Sequence, residues 1–120
     1  MPVHAIRGAT QVDANIAELV LDATAELVTE VMIRNSLTAD DVVSMLFTAT
    51  SDLDAAFPAA AARKVGFHDV PMLCAREITV PGALPRVIRL MAHVEVPGPR
   101  SAIRHVYLRG ASALRDDIAQ

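Results

Sequence analysis

PRVIRLMAHVEV, residues 85–96, reads as a strand with an arginine at its centre. Successive strand side chains point to opposite faces, so Ile88, Leu90, Ala92, Val94 and Val96 fall on one side. Val87, Arg89, Met91, His93 and Glu95 fall on the other. The first side is wholly apolar and belongs against a helix. Burying an unpaired guanidinium is costly, and no acid stands two residues from Arg89 on its own strand. Arg89 is therefore expected to look into a cleft and to meet an external anion there.

Working outward, VHAIRGA (residues 3–9) alternates in the same way, with Arg7 beside Val3 and Ala5. NIAELVLDATAELVTEVMIRN (residues 15–35) switches to helical spacing. Ile16, Leu19, Val20, Ala23, Leu27 and Val31 recur at steps of three and four, and Glu18, Asp22, Glu26 and Glu30 lie elsewhere. Asn15 and Glu18 are spaced as a capping box, and Asn35 is expected to close the far end in a left-handed conformation. LTADD makes a turn capped by Thr38, and VVSMLFTAT (residues 42–50) reads as a central strand. Pro58 and Gly66 bracket a short helix over about 58–65. VPMLCAREI (residues 70–78) is a further strand. IRHVYLRGA (residues 103–111) is the last, with Val106 and Leu108 opposite His105, Tyr107 and Arg109. The expected fold class is α+β: a mixed five-stranded sheet with one long helix and short helices, residues 1–120 forming a single domain with 111–120 as a C-terminal tail.

Composition narrows the function. Apolar residues make up 52% of the 120 residues, and the mean hydropathy is +0.35. That is more than a small soluble monomer easily hides, so part of it is expected in an interface between subunits. No apolar run approaches the roughly 20 residues of a membrane span, and the N-terminus lacks a signal peptide's apolar core. A soluble, cytoplasmic protein is expected. The single Cys74 excludes an internal disulfide framework, and four scattered histidines have no metal-site spacing. A formal charge of −3 with only Phe47, Phe57, Phe67 and Tyr107 as aromatics argues against nucleic acid. Ten of the eleven basic residues are arginine, which suits a bidentate grip on carboxylates, although nucleotide bias would give the same count.

Arg7, Arg76, Arg89, Arg104 and Arg109 fall on strands or strand ends. Pairing with Glu77, Glu95 or interface acids is the ordinary reading of each except Arg89; several converging would instead define a pocket for a small polycarboxylate. Cys74 reads by default as an inert buried thiol. The serines Ser44, Ser51, Ser101 and Ser112 lack a nucleophile elbow. Glu77 is either a surface carboxylate or an acid-base group. Strict alternation puts it on the face opposite Cys74, so a bulge or a strand end between them is needed if both serve one site. Tyr107 is either core or a hydroxyl on the polar side of its strand. The residues alone thus describe an anion pocket with no metal, redox motif, phosphate loop or covalent catalyst.

AIRGAT (5–10), DLDAAFPA (52–59) with Ala62-Arg63, VPMLCARE (70–77), LPRVIRLMAHV (84–94) and IRHVYLRGA (103–111) with Leu114-Arg115 together resemble the AroH-class monofunctional chorismate mutases, in order and in spacing over nearly the whole chain. The resemblance implies a homotrimer whose sheets pack around the threefold axis, with active sites at subunit interfaces. It implies the Claisen rearrangement of chorismate to prephenate, on the way to phenylalanine and tyrosine, without metal or cofactor. A pericyclic rearrangement requires a dianion held in a reactive shape and stabilisation of separating charge, and it needs neither proton transfer nor a nucleophile.

By the resemblance, Arg89 faces the ether oxygen. Arg7 and Tyr107 hold a carboxylate, and Arg63 and Arg115 help cover the dianion. Glu77 takes the substrate hydroxyl, with Cys74 beside it. Phe57 and Leu73 line the ring, and Ala75 and Arg76 complete the substrate-binding stretch. One departure is Ala60, which stands where many relatives carry a lysine near the mouth. Two other readings of such a pocket are a non-catalytic trimeric carboxylate-binding module and an enamine or imine deaminase of similar trimer architecture.

Overall fold

The computed structural model describes residues 1–114. β1 (Val3–Gln11) leads into α1 (Ala17–Arg34), followed by a 3₁₀ turn (Ala39–Asp41) and β2 (Val42–Ala49). Then come α2 (Pro58–Lys64), β3 (Met72–Arg76), β4 (Val87–Glu95), β5 (Val106–Tyr107) and a 3₁₀ turn at Arg109–Ala113. The strands form one five-stranded sheet in the order β3-β2-β4-β1-β5. β4 runs antiparallel to β1 and β2, whereas β3 and β5 run parallel to their neighbours. The mixed α+β architecture agrees with the sequence.

The apolar side of β4 is where the core forms. Leu90, Ala92 and Val94 pack with Ile6, Met45 and Phe47 against Leu27, Val28 and Val31 of α1, all of them buried. Fully burying one such side chain is worth about 1.5–3 kcal/mol, so this layer dominates what holds helix to sheet. Gly8 permits the close approach: a Cβ there would lie 3.1 Å from Leu27 Cδ1 and 3.3 Å from Leu90 Cγ.

Three expectations are corrected. Asn15 does not cap α1; the helix begins after Ile16 with no side-chain cap. Asn15 instead donates to Asp54 Oδ1 (2.7 Å) and accepts from the backbone N–H groups of Asp54 and Ala55. It thereby fastens the loop before α2, a long-range contact that won over local capping. At the far end Asn35 is not left-handed: its φ is −109°, and Ser36 takes the positive φ of 53°. The last strand covers only Val106–Tyr107, because Arg109 adopts φ 53° and the chain winds into the 3₁₀ turn. Of the expected tail, Ala111 is buried with Ala9 and Tyr107, and Leu114 packs against them.

Candidate active site

The register across the sheet decides which side chains meet. Arg89 pairs with Thr48 on one side and Ala9 on the other; Thr48 pairs in turn with Ala75, and Ala9 with Tyr107. Directly paired residues share a face, so Ala75, Thr48, Arg89, Ala9 and Tyr107 form one row on the face away from α1. The next row runs Leu73, Leu46, Met91, Arg7. Apart from the β3 residues Ala75 and Leu73, these rows floor a cavity of about 200 Å³ lined by Arg7, Gly8, Ala9, Leu46, Thr48, Arg89, Leu90, Met91 and Tyr107.

The expectation that Arg89 has no protein partner is corrected: the side chain is only partly buried and is paired. Its Nε donates to Glu77 Oε2 at 3.0 Å. Glu77 lies just past the end of β3, where its backbone N–H donates to Ala49 O (3.0 Å), and its Oε2 also accepts from Thr48 Oγ1 at 2.6 Å. With side-chain exposures of 42% for Arg89 and 18% for Glu77, such a pair adds at most about 1 kcal/mol to stability. Its consequence is orientation: tied at Nε, the guanidinium is fixed at the cavity wall. Arg7 is held by its backbone, whose N–H donates to His105 Nδ1 at 3.0 Å. Tyr107 is 5% exposed and packs on Ala9 and Ala111.

Other candidates lie elsewhere. Cys74 pairs with Phe47 and so belongs to the helix-side face; the sequence default of a buried thiol is corrected, since it is exposed at the sheet edge. β3 ends at Arg76, so a strand end does fall between Cys74 and Glu77, while its pairing with β2 runs from Met72 to Arg76 without a bulge. Cys74, Ala75, Arg76 and Phe57 line a second cavity of about 360 Å³. Arg63 is exposed in the last turn of α2. Leu73 is 72% and Phe57 73% exposed, and neither lines the first cavity. Arg115 lies outside the described residues. Among the described residues no three His, Cys, Asp or Glu side chains stand together as a metal site. Sequence reasoning missed Thr48, whose β-branched side chain in a strand gives no local signal of function.

Two guanidiniums and a phenol around one cavity, with a single carboxylate tied to one of them, make a seat for a small polyanion. The family model described as chorismate mutase type I matches residues 3–118. The chain is similar to the chorismate mutase AroH of Thermus thermophilus, 45% identical over 117 residues, covering 97% of this chain and 96% of that protein. This chain belongs to the AroH-class chorismate mutases. Membership makes it an isomerase of aromatic amino acid biosynthesis. A second AroH-class chorismate mutase, from Bacillus subtilis (strain 168), is 41% identical over 120 residues, covering 99% of this chain and 94% of the relative. The fold agrees as well: a solved chorismate mutase from Clostridium thermocellum superposes with a TM-score of 0.90 at 47% identity, over 91% of this chain and 97% of that one.

Proposed function

We propose that the cavity on the open sheet face rearranges chorismate to prephenate by electrostatic stabilisation and conformational capture. The observation that carries this is the convergence of Arg7, Arg89 and Tyr107 on one cavity, with Arg89 oriented by Glu77. As the ether bond lengthens, negative charge grows on its oxygen. A guanidinium fixed beforehand at that oxygen stabilises the transition state more than the ground state, which is the condition for raising kcat.

Acceleration at the low end of the enzymatic range is about 10⁶-fold, or about 8 kcal/mol. Losing one preorganised donor costs about 2.7–4 kcal/mol, so Arg89 carries a large share and not the whole. The remainder comes from holding the substrate compact. Arg7 and Tyr107 take a carboxylate, and Glu77 accepts from the substrate hydroxyl. No covalent or acid-base step is required.

The active unit in this reading is a homotrimer of single-domain chains in the cytoplasm. Val3, Leu46 and Leu73 on the open face are exposed, as are Phe57, Ile78 and Val80 beside β3. Exposed apolar surface on that scale calls for a cover, and in a cyclic trimer a different patch of the next copy supplies it. Phe57, Arg63 and Leu73 then reach the cavity from the neighbouring copy, with Arg115, Cys74, Ala75 and Arg76 completing the binding surface. Among the described residues no helix is long and apolar enough to cross a membrane.

The test is direct. Purified protein is mixed with chorismate and the loss of the diene absorbance is followed; prephenate formed in equal amount supports the reading, and unchanged chorismate at high enzyme concentration overturns it.

A further inference from the structure

The contact between Arg89 and Glu77 is one-pronged. Arg89 donates through Nε alone, to Oε2, although a guanidinium beside a carboxylate favours two parallel N–H···O bonds. Arg34, on the exposed face of α1, shows the tighter grip: its Nε and Nη2 both close on Glu30 Oε1, at 3.1 and 2.9 Å. Were Arg89 to close on Glu77 with a second N–H, that donor would be withdrawn from the cavity, where the proposed reaction needs it.

Thr48 stands against this closure. It sits directly opposite Arg89 on β2 and donates to the same Oε2, at 2.6 Å. Together with the bond from the Glu77 backbone N–H to Ala49 O, it fixes both the position and the rotation of the carboxylate. Oε2 then receives two donors and is turned toward β2, which leaves Arg89 only its Nε contact. Thr48 is half-buried on a central strand, so its hydroxyl is a rigid reference point.

We propose that Thr48 is a positioning residue that holds Glu77 in the one-pronged arrangement and so keeps the terminal nitrogens of Arg89 for the substrate. The inference rests on the reading of the cavity as the site of chorismate rearrangement. It predicts an effect on turnover more than on binding, because the ground-state dianion is held mainly by Arg7 and Tyr107.

The test compares Thr48→Val, which keeps shape and removes the donor, with Thr48→Ser, which keeps the donor. Expected is a fall in kcat of at least about tenfold for Thr48→Val with KM moved less than about threefold, and near-normal kcat for Thr48→Ser. In a Glu77→Ala background Thr48→Val costs little, since Thr48 acts through Glu77. Arginine side-chain ¹⁵N spectra of the free protein read the same point without substrate. With Thr48 only the Arg89 Nε–H is protected; in Thr48→Val a terminal N–H of Arg89 becomes protected as well.

Unchanged kcat and spectra in Thr48→Val overturn the proposal, as does a Thr48→Ser variant as impaired as Thr48→Val, or an undiminished cost in the Glu77→Ala background. Wild-type protein inert toward chorismate sinks the proposed function instead, and the spectra still decide the role of Thr48.

Discussion

Arg89 and Glu77 sit on opposite sides of β2 and meet over it, Nε to Oε2 at 3.0 Å, with Thr48 of β2 beneath the contact. The pair is too exposed to matter much for stability, so its energetic weight falls on the orientation of one guanidinium.

Arg89→Ala and Arg89→Lys are both expected to lower kcat at least about 10²-fold, since each 1.36 kcal/mol is tenfold. The lysine fails because a point charge on a flexible stem cannot be tied at one nitrogen while presenting others. Steady-state turnover of chorismate by the two variants checks this, and near-normal rates in both would remove Arg89 from the mechanism.

A rearrangement with no proton in flight has no reason to follow an acid or a base. The kcat of the wild type is expected to be flat near neutral pH, and a steep bell in the measured profile would point to acid-base chemistry.

Ala60, on α2, carries no charge at the position where the family resemblance leads us to expect a lysine near the mouth. Ala60→Lys is expected to lower KM several-fold, leave kcat within about twofold, and lose its benefit at high salt as screening sets in. A change confined to kcat would show that residue 60 does not act through the field at the mouth.

If each site joins Arg89 of one copy to Arg63 of the next, two inactive variants can restore each other. Refolding Arg89→Ala with Arg63→Glu in equal amounts gives every mixed trimer one intact site, about a quarter of all sites under random cyclic assembly. Regain of about that fraction of wild-type activity is expected; a mixture as inactive as its parts would place both residues of a site on one chain.

Gly8 is packed between helix and sheet, with Val106 O 3.4 Å from the position of a Cβ and the Leu27 and Leu90 side chains nearer still. Gly8→Val overpacks this point and is expected to destabilise the protein by about 1–3 kcal/mol. Urea denaturation measures it, and an unchanged midpoint would mean that α1 can move off the sheet at little cost.

The periodicities of residues 3–9, 15–35, 42–50 and 85–96 placed the main strands and the long helix, because alternation and 3.6-residue spacing are written within a few neighbouring residues. The arginine-rich inventory without metal or nucleophile spacing was equally local, and the ordered motifs carried the chemistry class. Asn15 and β5 went astray for one reason: their partners, Asp54 with Ala55 and the positive-φ Arg109, outweigh local preference and leave no periodic trace. The row Ala75, Thr48, Arg89, Ala9, Tyr107 was decided by tertiary structure alone, since register depends on how strands distant along the chain close against each other. Through that register Arg89 acquires Glu77, and Glu77 acquires Thr48.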